Sequence, residues 1–518
     1  MRLTQGIHRA VQIHADHPAL LGDGFELTWR QFADRVARLA GVLIDHGVEP
    51  GGRVAMLAAN SPRYVEYYFA TLWAGGVMVP VNTRWAIPEK VHCLNDSGAT
   101  VLLVDAAAHG DVPALREACP ALAHVIHADG GDAGGHGDYE SLLAARAPVA
   151  DAGRGGDDLA ALFYTGGTTG RSKGVMLSHG NFLANSMTAL VNLGIRQHSV
   201  HLHVSPLFHV AGGSRVFTTT VAGGTHATIP RFEPELFLEA VQRYRVTVTV
   251  VVPAMLNALL DYPHLDRFDL SSLELLTYGA SPMPEALLRQ TMARLPGIRF
   301  LQSYGMTELS PVATSLGPRY HVFEGPDAGR VRSAGQAVYN ADVAIMDEHD
   351  RPLPTGQVGE VCVRGPMVMK GYWRQPELTA EALRNGWMHT GDAGYLDADG
   401  FLFLVDRVKD MIVSGGENVY SAAVENVIHQ FEGVHECAVI GVPSERWGEA
   451  VHAIVVPRAG ARIDADALLA HCREQLAGYE CPKTIDVRTE ALPRSGAGKV
   501  LKTELRKPFW DGETRGIH

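Results

Sequence analysis

Small and hydroxyl-bearing residues crowd the stretch YTGGTTGRSKGV at residues 164–175, directly after an apolar run. Glycine amides, hydroxyl groups and a lysine are groups that proteins use to hold phosphate. The pattern is not the P-loop G-x-x-x-x-G-K-[ST], because Ser172 replaces the second glycine and Gly174 replaces the magnesium-binding hydroxyl. The stretch alone is compatible with a flexible surface turn or with a phosphate-binding loop that is not of the Walker type, and we favour the second.

The elements that must position this loop alternate between strand and helix. A helix begins at a capping box formed by Thr28 and Gln31. After it, residues 52–60 predict a buried strand, residues 61–75 a helix and residues 77–82 the next strand. The alternation recurs further along the chain. It predicts an α/β fold with a large N-terminal domain of mainly parallel sheets flanked by helices.

The elements become shorter beyond about Asp410 and predict a separate, small α+β domain. The preceding stretch, residues 386–419, is dense in glycine and aspartate and suggests a hinge region. We expect strands in it only around the sequences FLFLV and DMIV.

The composition of the chain argues against several classes of function. The chain has 518 residues, 46% of them hydrophobic and 20% charged, which is ordinary for a globular protein of several domains. A net charge of −12 without a basic cluster argues against a nucleic-acid partner. Six cysteines without a C-x-x-C pair fit a reducing, cytoplasmic location. No signal peptide or transmembrane segment is expected, although a peripheral membrane contact stays open.

Five separated blocks resemble the adenylate-forming superfamily, which includes acyl-CoA synthetases, nonribosomal-peptide adenylation domains and firefly luciferase. The blocks follow the order of that family, and the resemblance covers nearly the whole chain. They are YTGGTTGRSKGV, YGASPMP, QSYGMTELSP, the stretch from GWMHTGD to SAAVE, and PRSGAGKVLK. The resemblance implies an AMP-forming ligase that converts a carboxylic acid, ATP and CoA into acyl-CoA through an acyl-adenylate.

The resemblance also implies an ATP site. The β- and γ-phosphates would be held by the loop residues Thr165, Gly166, Gly167, Thr168, Thr169, Gly170 and Lys173. Thr307 would contact the α-phosphate and Glu308 would bind Mg²⁺, since hard oxygen ligands suit that ion. The adenine pocket would comprise Gly279, Ala280, Ser281, Ser303, Tyr304 and Gly305, with Tyr304 stacking on the base. Asp392 would accept hydrogen bonds from both ribose hydroxyls, assisted by Arg407.

These assignments depend on the resemblance. Without it, Tyr304 would be interpreted as a core aromatic residue, Glu308 as a surface carboxylate and Asp392 as a residue that caps a turn.

A moving C-terminal domain is a further implication of the resemblance. Residues 1–408 would bind nucleotide and acid, residues 409–518 would rotate between the two half-reactions, and Lys409 would be the pivot. Lys499 would be a catalytic residue that bridges the attacking carboxylate and the α-phosphate. The pantetheine tunnel for CoA would be lined by Ser414, Gly415 and Gly416.

The stretch PLFHVAGGSRVF resembles the part of the family that binds the acid, with His209 as the gating residue. A zinc cluster of His201, His203 and His209 is an alternative, but the strand-like alternation favours packed histidines. The small residues at 211–213 predict room for a long or bulky apolar tail. Arg215 could pair with a distal carboxylate if it faces inward.

Several alternatives therefore remain. A medium- or long-chain fatty acid is the preferred substrate, an aryl or arylpropenoic acid is second and a dicarboxylate third. A stand-alone enzyme that loads a carrier protein would share every block. A ligand-binding relative without activity would be expected to lack Lys499, Glu308 or Asp392, and all three are present. Dimers are common in the family, so a homodimer is an expectation of the resemblance.

Overall fold

The computed structural model of the chain describes residues 1–510 except for 23, 130–137, 166–170, 282, 408–409, 416, 445 and 495–499. The side chains of Arg407 and Asn418 also fall outside the description. Elements below are numbered in chain order.

The predicted phosphate loop joins two strands of a sheet that has seven strands within the described residues. In spatial order these are β18 (Gly371–Tyr372), β8 (Lys173–Ser178), β7 (Leu159–Thr165), β4 (Val77–Pro80), β3 (Arg53–Leu57), β5 (Val101–Val104) and β6 (His124–His127). The strands from β7 to β6 are parallel, whereas β8 and β18 are antiparallel additions at one edge. The hairpin β7–β8 thus lies at the antiparallel edge of a parallel sheet.

A second large sheet has nine strands in the described part of the chain. In spatial order they are β15 (Gln336–Ala337), β14 (Val312–Leu316), β13 (Arg299–Gly305), β12 (Leu275–Gly279), β11 (Val248–Val251), β9 (Val200–His203), β10 (Thr225–Thr228), β1 (Pro18–Gly22) and β2 (Phe25–Thr28). Its centre, from β13 to β1, is parallel. Both large sheets therefore have the mainly parallel character expected of the N-terminal domain.

Helices connect these strands. Those preceding residue 400 are α1 (Gln5–His14), α2 (Trp29–Asp45), α3 (Pro62–Trp73), α4 (Ile87–Ser97), α5 (Val112–Ala118), α6 (Tyr139–Ala145), α7 (His179–Leu193), α8 (Val210–Ala222), α9 (Pro234–Tyr244), α10 (Pro253–Leu260), α11 (Glu285–Arg294) and α12 (Pro376–Ala382). The largest apolar core joins α2, α3, α7 and α8 to residues of both large sheets. This shared helix layer fixes the two sheets relative to each other through burial of apolar surface.

A third sheet follows, with the antiparallel order β16 (Asp342–Met346), β17 (Gly359–Arg364), β19 (Met388–Leu396) and β20 (Leu402–Arg407). The expectation for residues 386–419 was wrong in two respects, because Glu417–Val419 is a strand and because β19 is a nine-residue strand through the glycine-rich sequence MHTGDAGYL. Pairing with β17 on one side and β20 on the other supplies the hydrogen bonds that local propensity does not favour.

The C-terminal part forms the small α+β unit that the sequence predicts. Its strands are β22 (Glu417–Val419), β21 (Ile412–Ser414), β24 (Gly448–Pro457), β23 (Val434–Ser444) and β25 (Thr484–Val487), and its helices are α13 (Ser421–Ile428), α14 (Ala465–Gln475) and α15 (Lys502–Trp510). Two separate apolar clusters make its core. Across the described residues, every helix is too short or too polar to cross a bilayer.

Candidate active site

The β7–β8 hairpin places the two ends of the phosphate loop side by side. Thr165 and Lys173 are direct partners across the hairpin. Ser172 is buried, and its hydroxyl has no hydrogen-bond partner among the described residues. The remaining predicted loop residues, Gly166, Gly167, Thr168, Thr169 and Gly170, lie outside the described residues. The described ends therefore present a lysine and two hydroxyls at one point of the sheet edge.

A short chain of contacts links Lys173 to Glu308. The Lys173 ammonium lies 4.9 Å from the centre of the Tyr372 ring, and the Tyr372 hydroxyl donates to Glu308 Oε1 at 2.9 Å. Burial and the neighbouring carboxylate raise the pKa of Tyr372, so its hydroxyl stays a donor at neutral pH. Thr307 and Glu308 begin a short 3-10 turn after β13, and both are buried. The structure thus groups a cation, a carboxylate and a hydroxyl, as chemistry on phosphate requires.

A second contact joins the second and third sheets. The Tyr304 hydroxyl, on β13, donates to Asp392 Oδ2 on β19 at 2.7 Å. Both residues are half-buried. Asp392 pairs across the strands with Arg407, whose side chain is outside the description. The structure therefore brings together the aromatic residue and the carboxylate that the sequence predicts for adenine and ribose.

Close backbone approach explains the glycines beside Tyr304. A side chain at Gly305 would overlap the carbonyl oxygen of Pro311, and one at Gly279 would overlap that of Ser303. Ala280 has a φ of 65°, a left-handed conformation that costs a non-glycine residue free energy. Ser281 follows directly. These residues make a narrow wall of main chain at the carboxyl ends of β12 and β13, where parallel sheets commonly bind ligands.

A charge network holds the strand next to Asp392. Glu360 accepts from the main-chain N–H of Gly391 at 2.9 Å and lies 2.9 Å from His389 Nδ1. Arg384 lies 3.3 Å from the same carboxylate. Glu360 and His389, with Cys362, are the single group of possible metal ligands found among the described residues. Because a guanidinium already neutralises the carboxylate, we interpret the group as a support for β19.

Two of the predicted C-terminal residues, Ser414 and Gly415, lie within the described part of the chain. The main-chain pairing described for Ser414 is with Glu417 and Gly448. The N–H of Gly415 donates to the Trp447 carbonyl at 2.8 Å, and its φ is 65°. Lys409, Gly416 and Lys499 lie outside the described residues. The predicted roles of these five residues in CoA binding, hinge motion and catalysis stay predictions.

Within the predicted acid-binding stretch, His209 caps α8 through a hydrogen bond from the N–H of Ala211 at 3.3 Å. The expectation of open space at residues 211–213 was wrong for its two glycines. A side-chain carbon at Gly212 would lie 2.5 Å from the Pro206 carbonyl oxygen, and one at Gly213 would lie 2.9 Å from that of Leu207. These glycines therefore allow α8 to pack against its own preceding loop.

The histidines of this region are packed against one another, as predicted. The rings of His201 and His203 stack at 4.8 Å, and His203 stacks on His226 at 5.2 Å with a 2.9 Å hydrogen bond between their nitrogens. Burial lowers the pKa of His203 to about 3 and that of His201 and His226 well below the usual value. Neighbouring Arg215 faces inward and is 3% exposed.

Some residues beside the site were not predicted from the sequence. Tyr372 lies in a two-residue strand, and its role depends on contacts with distant elements. Asn60 fixes the loop before His209, because its side-chain amide donates to the Ser205 carbonyl and its oxygen accepts from Leu207 N–H. A polar residue at the end of a buried strand was the available clue.

A phosphate-loop hairpin, a buried carboxylate and an aromatic–aspartate pair, gathered from three sheets, define an enzyme that activates carboxylic acids by adenylation. Residues 7–373 match the AMP-binding enzyme family, and residues 423–499 match the AMP-binding enzyme C-terminal domain. The chain belongs to this adenylate-forming family and is an AMP-forming acid–thiol ligase that uses ATP and CoA. The expected boundary at residues 408 and 409 falls between the two matched ranges.

The similar proteins include ligases of aromatic acids and ligases of fatty acids. A feruloyl-CoA synthase of an Amycolatopsis species is 44% identical over 487 residues, which cover 94% of each chain. A fatty acid–acyl-carrier-protein ligase of Streptomyces coeruleorubidus is 37% identical over 528 residues, covering 99% of this chain and 98% of that protein. The crystal structure of ATP-bound MatB from Rhodopseudomonas palustris superposes with a TM-score of 0.88 at 32% identity, over 99% of both chains.

Proposed function

We propose that the protein is an aryl-CoA ligase that activates an aromatic or arylpropenoic acid. The carboxylate attacks the α-phosphorus of ATP, pyrophosphate leaves, and the acyl-adenylate then reacts with the thiol of CoA to release AMP. The observation that carries the nucleotide half of the proposal is the contact chain from Lys173 through Tyr372 to Glu308. In this proposal the chain of contacts would set positive charge where charge develops on phosphate.

Mg²⁺ fits the residues of this group. Glu308 supplies a buried carboxylate and the adjacent Thr307 a hydroxyl, and Mg²⁺ is commonly bound through one or two carboxylates together with substrate phosphates. Glu308 would hold the ion, which would neutralise phosphate charge when bound. Tyr304 and Asp392 would orient adenine and ribose, with Asp392 accepting from the ribose hydroxyls.

The similarity to a feruloyl-CoA synthase supports an aryl acid over a fatty acid. That relative is 44% identical over 94% of both chains, whereas the fatty acid–acyl-carrier-protein ligase is 37% identical over 99% of this chain.

The direct test is pyrophosphate release by the purified protein with ATP and Mg²⁺, across matched aromatic, fatty and dicarboxylic acids, with and without CoA. We expect release that depends on an aryl acid and accelerates with CoA while the CoA thioester accumulates. Turnover of octanoate and longer acids above every aryl acid would contradict the proposed substrate class and leave the ligase activity intact.

Domain rotation about Lys409 is a further part of the proposal, and it concerns residues of the C-terminal unit. Lys499→Ala should lower acyl-adenylate formation by at least about a hundredfold, as the loss of one transition-state charge contact commonly does. Thioester formation from supplied acyl-adenylate should survive, because Lys499 would have left the site by then. Equal losses in both half-reactions would contradict two conformations.

Loading of a carrier protein is a second candidate function, favoured by the similarity to an acyl-carrier-protein ligase. Acid-dependent pyrophosphate release that CoA leaves unchanged, but that a holo-carrier protein accelerates, would select this function over CoA ligation.

A further inference from the structure

One face of the helix α4 contacts both ends of the predicted phosphate loop. His92 Nε2 lies 2.9 Å from the main-chain carbonyl oxygen of Ser172, at the end of the loop. About one turn further along the helix, Asp96 Oδ2 accepts a hydrogen bond from the Tyr164 hydroxyl at 2.6 Å, at the start of the loop. Residues four positions apart project from the same side of a helix, so α4 presents both groups to the hairpin together.

The contact with Ser172 fixes a peptide group. A carbonyl oxygen can only accept a hydrogen bond, so His92 Nε2 carries the proton in this contact. The N–H of Lys173 belongs to the same planar peptide unit as the Ser172 carbonyl, and holding the oxygen therefore also sets the direction of that N–H. The ring of His92 is perpendicular to that of Tyr164, with 6.4 Å between their centres. His92 thus acts on the point at which β8 begins.

The contact with Tyr164 holds the other strand of the hairpin. Burial raises the pKa of Tyr164, so its hydroxyl stays a donor to the Asp96 carboxylate at neutral pH. Tyr164 directly precedes Thr165, whose partner across the hairpin is Lys173. The helix therefore holds β7 through Asp96 and β8 through His92, on either side of the loop.

The same helix also contacts the segment that carries Tyr372. The Asp96 carbonyl accepts from Trp373 Nε1 at 2.9 Å, and the N–H of Trp373 donates to the Gly174 carbonyl at 2.7 Å. Trp373 and Gly174 directly follow Tyr372 and Lys173, whose side chains face each other at 4.9 Å. The placement of the Lys173 ammonium over the ring therefore depends on α4 from two directions.

We infer that His92 is a positioning residue for ATP, which acts through Ser172 and holds the Lys173 end of the phosphate loop. The inference rests on the proposed function, because it requires that this loop holds the β- and γ-phosphates. A loop that is already held in its binding conformation needs little ordering by the ligand, whereas a loosened loop must be ordered at the expense of affinity. Loss of the His92 contact should therefore weaken only those ligands that carry the β- and γ-phosphates.

The test compares ATP with AMP as ligands of the full-length protein. Affinities are measured by calorimetry with Mg²⁺ and without an acid, so that no adenylate forms. His92→Phe keeps a ring beside Tyr164 and removes the donor, and it should raise the Kd for ATP about 2- to 13-fold, as loss of one neutral hydrogen bond implies. The Kd for AMP should stay at the wild-type value. His92→Gln offers an amide N–H in place of Nε2 and should restore most of the affinity for ATP.

His14→Phe is the matched control. His14 is half-buried like His92, and its Nε2 lies 3.1 Å from the main-chain carbonyl oxygen of Gly223, outside the nucleotide cluster. Urea unfolding should show a loss of stability in both phenylalanine variants, but only His92→Phe should bind ATP more weakly. Equal weakening of ATP and AMP by His92→Phe, or a failure of His92→Gln to restore ATP binding, would assign His92 a purely structural role and overturn the inference.

Lys173→Met separates a failure of this inference from a failure of the proposed function. The variant removes the ammonium itself, so it should weaken ATP binding at least as much as His92→Phe does. If Lys173→Met weakens ATP binding and His92→Phe does not, the inference is overturned and the proposed role of the loop stands. If Lys173→Met leaves the affinity for ATP unchanged, the proposed role of the loop is refuted, and the positioning role of His92 is refuted with it.

Discussion

Replacing Tyr372 by phenylalanine removes one hydroxyl and keeps the ring beneath Lys173. The lost interaction is the 2.9 Å hydrogen bond to Glu308 Oε1. A hydrogen bond to a charged group contributes about 1.5–3 kcal/mol. If the carboxylate must be held where Mg²⁺ and ATP meet it, that energy is lost from transition-state stabilisation. The expected fall in kcat/KM for ATP is then roughly 10- to 150-fold, at 1.36 kcal/mol per factor of ten.

A second variant separates the hydroxyl from the ring. Tyr372→Leu also removes the contact between the ring and the Lys173 ammonium, which is a cation–π interaction of about 0.5–2 kcal/mol. It should therefore lower kcat/KM further than Tyr372→Phe does. The assay is acid-dependent pyrophosphate release, measured over a range of ATP and of Mg²⁺ concentrations.

Tyr139→Phe is the matched control, since Tyr139 is fully buried and donates to Glu66 Oε2 at 2.7 Å between α3 and α6. It loses an equivalent tyrosine–carboxylate bond outside the nucleotide cluster. Urea unfolding should show a loss of stability for this control, while its kcat/KM for ATP stays at the wild-type value. Wild-type kcat/KM and Mg²⁺ dependence in Tyr372→Phe would refute the assignment of the Glu308 group to ATP.

Three further outcomes are expected. Gly305→Ala should abolish ATP binding, measured by calorimetry, because its new methyl group would occupy the space of a carbonyl oxygen; a wild-type affinity would contradict the close approach. Tyr304→Phe should lower the affinity for AMP by about tenfold, because the hydroxyl that donates to Asp392 and positions that carboxylate is lost; an unchanged affinity would show that the ring alone matters. His203 and its stacked neighbour His201 have lowered pKa values in the folded protein. Below about pH 6.5 the unfolded chain therefore binds more protons than the folded protein does. The free energy of unfolding should fall by up to about 1.4 kcal/mol per histidine for each unit by which the pH is lowered. His201→Gln should flatten the decline in unfolding free energy between pH 6.5 and 5, and an unchanged slope would contradict neutral burial.

Local signals in the sequence predicted local structure well. The capping box of Thr28 and Gln31 forms with both of its hydrogen bonds, at 2.9 and 3.3 Å, and Ser61 caps α3 by accepting from Tyr64 N–H. These features depend on residues three positions apart, so a short stretch contains all the information. The alternation of strands and helices likewise predicted the parallel sheets.

Tertiary contacts explain what the sequence did not predict. The strand β19 contains Gly391 and Gly394, which disfavour strand locally, and it forms because β17 and β20 pair with it. The blocked space beside Gly212 depends on a neighbouring loop, and the inward direction of Arg215 depends on the packing of α8. The nucleotide residues were predicted through a family resemblance, since isolated glycines and carboxylates have many structural uses.

The order in which the chain is synthesised gives β18 a role in folding. Its pairing with β8 covers an edge of the sheet, and beside it Trp373 Nε1 donates to the Asp96 carbonyl, 277 residues earlier in the sequence. During translation, the edge of β8, the strand that begins at Lys173, stays unpaired until this later segment leaves the ribosome. Unpaired strand edges tend to pair with other chains. Nascent chains that end before Gly371 should therefore depend on chaperones to avoid aggregation. Stabilisation of the fold by bound nucleotide would begin only after that segment has been synthesised.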